Sequence, residues 1–275
     1  MDFGATPAAD LGHSTQDMPE LHELYGPDFD FAPTSAPPRS CYMIASTPRS
    51  GSTHLASCLW RAGDLGAPLE YLNPIHIRQM SPRLGARGYL SYWRGVQARR
   101  TSPNGVFGHK LFMPYYVTAG RRCPALLPML RSDLAIHLYR RDKIAQAVSL
   151  ARAQQTKAWA SWSDEQTAPV YDARHISTCL NKLLEQERWW VAAFELTGAV
   201  VLSIAYEDYV GRETEILATI RARLGLPAAS DCPPVAVEDL ARQRDGISAE
   251  WVARFKVEAP DQAAIAQELG PPLTA

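Results

Sequence analysis

No apolar run in this 275-residue chain approaches the length needed to cross a membrane, so a helical membrane anchor is not expected. The first residues have neither a basic segment nor an apolar core, which predicts no signal peptide. Large charge of either sign is also missing. The formal net charge is −1, which argues against a nucleic-acid coat or a polybasic membrane patch as partner. Cysteine is sparse: Cys41, Cys58, Cys123, Cys179 and Cys232 are odd in number and form no Cys-x-x-Cys pair. That pattern predicts reduced thiols in a cytoplasmic protein, without a structural zinc. There is no internal repeat.

What is present centres on Cys41 to Thr53. Tyr42 to Ala45 reads as a buried strand, broken at Pro48 and led through Gly51 into a helix with Leu55, Ala56, Leu59 and Ala62 on one face. A strand turning sharply into a helix aims backbone N–H groups and the positive helix end at one spot, which suits an anion. Arg49 adds a guanidinium fork, and Ser50, Ser52 and Thr53 add hydroxyls. No Lys stands before Ser52 and only one Gly is present, unlike the loop of a nucleoside triphosphatase. A polar turn that binds nothing is the competing explanation.

Three more apolar runs, Val106–Met113, Leu134–Tyr139 and Ala199–Ile204, alternate with helical stretches at 87–100, 126–130, 143–159, 172–197 and 206–224. Nearly continuous apolar strands separated by helices predict an α/β fold with a central, mostly parallel sheet in a three-layer α/β/α sandwich. Ligands in such folds sit beyond the carboxyl ends of the strands. Residues 1–39, rich in Pro, Ala, Asp and Ser, read as a flexible extension; Leu21, Leu24, Tyr25, Phe29 and Phe31 offer the alternative of a short docked arm. Residues 40–275 read as a single domain.

The third strand runs into Arg140 and Arg141, with Ser149 about two turns along the next helix. An arginine with a helical hydroxyl makes a second anion site, unless these arginines only pair with Asp142 or face solvent. Two such sites at neighbouring strand ends suggest a ribonucleotide phosphorylated at two positions, such as 3′-phosphoadenosine-5′-phosphosulfate.

Several motifs then share an order with a known family. They are Thr47-Pro48-Arg49-Ser50-Gly51-Ser52-Thr53, the Gly-x-Pro-x-Glu of Gly66 to Glu70, Pro103 to Leu111, Ile136 to Arg140, Gln146 to Ser149 and Gln155-Thr156-x-x-Trp159, followed by Arg242-Gln243-x-Asp245 and Glu250 to Phe255. Over residues 41 to 258 the chain resembles the mycobacterial trehalose 2-sulfotransferase family. The resemblance implies a P-loop NTPase-like sulfotransferase domain, a homodimer, and 3′-phosphoadenosine-5′-phosphosulfate as co-substrate with no metal. It implies that Pro48 and Arg49 to Thr53 hold the phosphosulfate, that Arg140 and Ser149 (or Arg141) hold the 3′-phosphate, and that Glu70 is the general base.

The chemistry gives these residues work. An acceptor hydroxyl needs a base near the anion loop, and the charge that grows on the transferring oxygens needs fixed cations. Arg49 is one. Lys110 is the candidate for the other, against the reading of a lysine reaching from its strand to water. His109 reads as packing. Tyr206, at the exit of the fourth strand, reads either as an adenine platform or as core. Arg242 falls in a C-terminal loop that would close over the nucleotide. Trp159, Trp162, Trp189 and Trp190 are candidates for stacking on a sugar, although at least one of the last two must be core.

On the acceptor side, Pro48, Ala67, Leu69, Glu70 and Tyr71 are the expected contacts. The family carries Ser-Gln-Arg where this chain has Thr47-Pro48-Arg49, and Gly-Glu-Pro-Gln-Glu where it has Gly66-Ala67-Pro68-Leu69-Glu70. Losing polar groups weakens selection of a polyhydroxylated ligand, so a different sugar, a glycolipid or another hydroxyl-bearing metabolite is expected alongside trehalose. A phosphotransferase and a non-catalytic nucleotide-binding protein are the rival classes.

Overall fold

The computed structural model describes residues 23–159, 166–228 and 246–268. Four strands, β1 (Ser40–Ser46), β2 (Val106–Phe112), β3 (Leu134–Tyr139) and β4 (Val201–Ala205), form one sheet in the order β2-β1-β3-β4. Every pairing is parallel. β2 and β3 are buried at every position, which requires cover on both faces. The expected three-layer α/β/α arrangement is therefore present, and all four strands fall where the apolar runs place them.

The register sorts the side chains. Ala45, Leu111 and His137 share one face, whereas Ile44, Lys110 and Ile136 share the other. On the first face lie α3 (Tyr89–Arg100), whose Trp93 packs edge-on against Phe107 and His109, and α6 (Ala173–Thr197), whose Phe194 meets His137. On the second lies α1 (Ser52–Arg61), reached by Lys110 through Thr53. His109 is buried against Trp93 and Phe107, and burial lowers its imidazole pKa to about 3. It is a neutral packing residue. Of the paired tryptophans, Trp190 is core and its Nε1 donates to the Ser46 carbonyl (3.0 Å), while Trp189 is exposed.

α5 (Lys143–Thr156) starts on an Asp142 cap that accepts from Ala145 N, and α6 on an Asp172 cap that accepts from Arg174 N and His175 N. Four helices were not anticipated: α2 (Pro74–Arg83), α4 (Met113–Arg122), α9 (Gly246–Glu258) and α10 (Pro260–Glu268). α2 carries a proline in its last turn, and α4 starts in what reads as the end of a strand. Pro124–Leu130 is 3₁₀ rather than α-helix, since Pro124 and Pro128 donate no hydrogen bond. The stretch after β4 divides into a single turn, α7 (Tyr206–Tyr209), and α8 (Glu213–Arg223).

Of the segment expected to be flexible, residues 23–39 are described, and they are docked. Tyr25 is buried, Phe29 packs on Trp60, and Phe31 N and Thr34 N donate to the carbonyls of Arg99 and Ala98. Among the described residues, no helix is long and apolar enough to cross a membrane, and no three His, Cys, Asp or Glu side chains gather as a metal site.

Candidate functional site

The loop after β1 is shaped by two left-handed residues, Arg49 (φ 63°) and Gly51 (φ 84°). Successive backbone turns of this kind make an anion-binding concavity. Gly51 is required by contact as well as by conformation: a Cβ there would lie 2.4 Å from Tyr206 Cδ2 and 2.7 Å from the Tyr209 hydroxyl. Tyr209 in turn donates to the Gly51 carbonyl at 2.7 Å. The Ser50 hydroxyl is buried and has no hydrogen-bond partner among the described residues.

The residues of the two expected anion sites lie next to each other. Arg49 Nε donates to Ser149 Oγ on α5 (3.0 Å), and its Nη1 donates to the Trp159 carbonyl. Arg140 is buried, donates to the Arg49 carbonyl (3.4 Å) and lies over the Tyr206 ring, 4.9 Å from its centroid. Burial and then the neighbouring Arg140 charge lower the Arg49 pKa to about 10, so it is still a cation at neutral pH. Tyr206 is thus in contact with Arg140 and with the loop, and it is partly exposed. Arg141 is exposed and paired in bidentate fashion with Asp208 (2.6 and 2.5 Å). It does not join the cluster. Ser52 is buried at the head of α1, and Pro48 is partly exposed at the loop. Arg242 and Trp162 lie outside the described residues.

A second group forms at the start of α1, around Thr53. The loop 65–73 runs along the outer edge of β2: Lys110 N donates to the Leu69 carbonyl (2.9 Å). Gly66 (φ 71°) allows this approach, because a Cβ there would stand 3.0 Å from Gly108 N. Glu70 is thereby brought to Lys110, Oε1 to Nζ 2.9 Å, and the same ammonium donates to Thr53 Oγ1 at 3.1 Å. Lys110 is only 3% exposed, so it does not snorkel to water. Burial pushes the Glu70 carboxyl up, but the charges of Lys110 and His76 and hydrogen bonds from Lys110 and Asn73 more than offset it, leaving it below the ordinary 4.5. Three of the residues expected to contact an acceptor lie inward in this structure. Ala67 and Tyr71 are fully buried, Leu69 nearly so, and Tyr71 donates its hydroxyl to the Ala67 carbonyl. They pack the loop onto the core, and only Pro48 and Glu70 of that set reach the surface.

Under the anion loop lies a network that residue patterns did not single out. Glu187 on α6 accepts from Thr47 Oγ1 (3.1 Å) and Lys143 Nζ (2.7 Å), and its other oxygen is 3.0 Å from His137 Nε2. Gln146 Nε2 donates to Thr47 Oγ1 and to the Pro48 carbonyl, both at 2.8 Å. The nearest signal was Gln146 itself, one of the shared motif residues. Burial raises the Glu187 carboxyl, but His137 and Lys143 hold it below 4.5 overall. A depressed carboxyl stabilises the fold above its unfolded pKa and loses that contribution as pH falls through the folded value. Thermal melts from about pH 3 to 6 should therefore show a shallower acid-side loss in Glu187→Gln than in the parent. Equal slopes would show that this carboxylate carries no such linkage.

Two relatives named trehalose 2-sulfotransferase are similar. The one from Mycobacterium tuberculosis (strain ATCC 35801 / TMC 107 / Erdman) is 28% identical, covering 80% of this chain and 95% of its own. The one from Mycolicibacterium smegmatis (strain ATCC 700084 / mc(2)155) is 29% identical, covering 80% and 96%. A solved structure, the sulfotransferase domain from the Synechococcus PCC 7002 olefin synthase, aligns with a TM-score of 0.43 at 17% identity, over 89% of this chain and 99% of that one. Residues 41–258 match the model of the Stf0 sulphotransferase family, and the chain belongs to that family.

Proposed function

We propose that this chain moves a sulfuryl group from 3′-phosphoadenosine-5′-phosphosulfate to the hydroxyl of a small-molecule acceptor, residues 40–275 acting as one transferase domain. The observation that carries the donor assignment is the gathering of Arg49 and Arg140 around a loop of left-handed backbone, with the buried Ser50 hydroxyl unpartnered beside them. Arg140 also stands 4.0 Å from Glu207, and two guanidinium forks beside such a loop suit a phosphate or sulfonate.

In this reading the loop 48–53 takes the phosphosulfate, and Arg140 with Ser149 takes the 3′-phosphate. Arg140 is preferred to Arg141 because the latter is committed to Asp208 at the surface. Glu70 removes the acceptor proton. Lys110, placed between Glu70 and Thr53 at the start of α1, turns to the charge that develops on the leaving phosphate, and its departure restores the basicity of Glu70. Arg242 is kept as a nucleotide contact and a homodimer as the assembly. The acceptor class stays broad, a sugar, a glycolipid or another metabolite, because the two polar family positions before Glu70 are filled here by the buried Ala67 and Leu69.

Calorimetry with adenosine 3′,5′-bisphosphate tests the donor side. Arg140→Ala should weaken that ligand by about 10- to 30-fold, the scale of a charge-assisted hydrogen bond, and adenosine 5′-phosphate much less. Equal losses for both nucleotides would remove the 3′-phosphate assignment, and no binding by the parent chain would remove the function.

A further inference from the structure

We propose that the N-terminal arm, which lies outside the family match, completes the acceptor side of the site, with Tyr25 as a positioning residue for Glu70. The inference rests on the reading of Glu70 as the base. Glu70 N donates to the Tyr25 hydroxyl at 3.1 Å, while the carbonyl of the same peptide, that of Leu69, accepts from Lys110 N at 2.9 Å, so the arm and the sheet edge hold this peptide between them. The Tyr25 ring is 3% exposed and stacks on His76, with centroids 3.5 Å apart and planes 10° apart. His76 is also one of the charges acting on the Glu70 carboxyl. One aromatic side chain therefore touches both the base's backbone and the imidazole beside it.

The arm is built to hold that ring. Three consecutive carbonyls accept from arginines: Leu24 from Arg100 Nη1 (3.1 Å), Tyr25 from Arg83 Nη2 (3.0 Å) and Gly26 from Arg100 Nη2 (2.9 Å). Asp30 joins both arginines, 2.6 Å from Arg83 Nη1 and 3.0 Å from Arg100 Nε. The Arg100 side chain is fully buried, and a buried guanidinium stays in place only with its partners. These partners come from the arm, while Arg83 and Arg100 end the two helices that follow the Glu70 loop. Arm and loop are thus fixed to the same two helices, and the family match begins only at residue 41.

The test uses the full chain. Tyr25→Phe keeps the ring on His76 and removes only the hydroxyl. Amide exchange in residues 66–74 should rise about five- to tenfold, the scale of one hydrogen bond, with residues 47–53 unchanged. Turnover on the acceptor that performs best in a panel of sugars, glycolipids and phenols should fall by a similar factor. In a Glu70→Gln background the same substitution should cost nothing further, since residues acting as one unit are not additive. Unchanged exchange in 66–74, or an equal fold-loss in both backgrounds, would overturn the inference while leaving the base assignment intact. Full turnover in Glu70→Gln alone would overturn the base assignment and this inference with it.

Discussion

Glu70→Gln is expected to lower turnover by roughly 10²-fold or more, the scale of a lost general base, while adenosine 3′,5′-bisphosphate binds within about threefold of the parent. Gln is nearly isosteric and still offers one oxygen to Lys110 Nζ, which stands 2.9 Å from Oε1; only the longer bond from Asn73 Nδ2 to Oε2 (3.3 Å) is given up to the amide NH2. The donor cluster of Arg49, Ser149 and Arg140 shares no hydrogen bond with Glu70. Binding and chemistry should therefore separate. Calorimetry and initial rates on the two proteins decide it: retained turnover would point to a protein that only binds its nucleotide, and parallel loss of both quantities to a structural role. The parent should also show an acid limb in kcat/KM that lies below pH 4.5, because Lys110 and His76 keep the carboxyl ionised to lower pH than usual. Activity falls as that carboxylate gains its proton, and the limb should be missing in the residual activity of the Gln variant.

The second large effect is expected from one added methyl group. In Gly51→Ala the new Cβ would lie 2.4 Å from one tyrosine ring and 2.7 Å from a tyrosine hydroxyl, at a φ of 84° that L-residues adopt at a cost of roughly 1–2 kcal/mol. Neither ring has an easy way out. Tyr209 is fully buried and hydrogen-bonded to Gly51 itself, and Tyr206 carries Arg140 on its face. Moving Tyr206 moves Arg140, so the clash reaches the proposed 3′-phosphate contact as well as the loop. Strain of about 1–3 kcal/mol at a ligand clamp corresponds to a loss of up to about 10²-fold in affinity for adenosine 3′,5′-bisphosphate. Near-parental affinity in a folded variant would show that the rings yield and that the loop is not held as described.

Sequence patterns revealed the sheet because its strands are unbroken apolar runs, and they revealed the turn from β1 into α1 because strand, glycine and helix follow one another without a gap. Lys110 and Glu70 were named individually, but their 2.9 Å contact depends on the Glu70 loop lying along the edge of β2, which no local pattern encodes. The choice between Arg140 and Arg141 turned on the direction in which β3 ends, a matter of one residue. Ala67, Leu69 and Tyr71 were expected near an acceptor because they flank Glu70 in the family motif, and their burial against the edge of β2 is a tertiary feature that no local pattern encodes. Glu187 was illegible for a different reason. It stands on a long amphipathic helix among other polar residues, and its partners Thr47, Lys143 and His137 come from three other segments of the chain.

The attachment of the Glu70 loop has a consequence for how such an enzyme diversifies. Its backbone is pinned to the rim of the sheet, whereas the arginine cluster hangs from the central strands and from α5. If Glu70 is the base, substitutions along the rim should alter which hydroxyl is sulfated more than they alter nucleotide binding, provided that the Leu69 carbonyl still meets Lys110 N. On the proposed reading, acceptor and donor contacts then sit on different segments of one chain, joined through the Glu70–Lys110–Thr53 link.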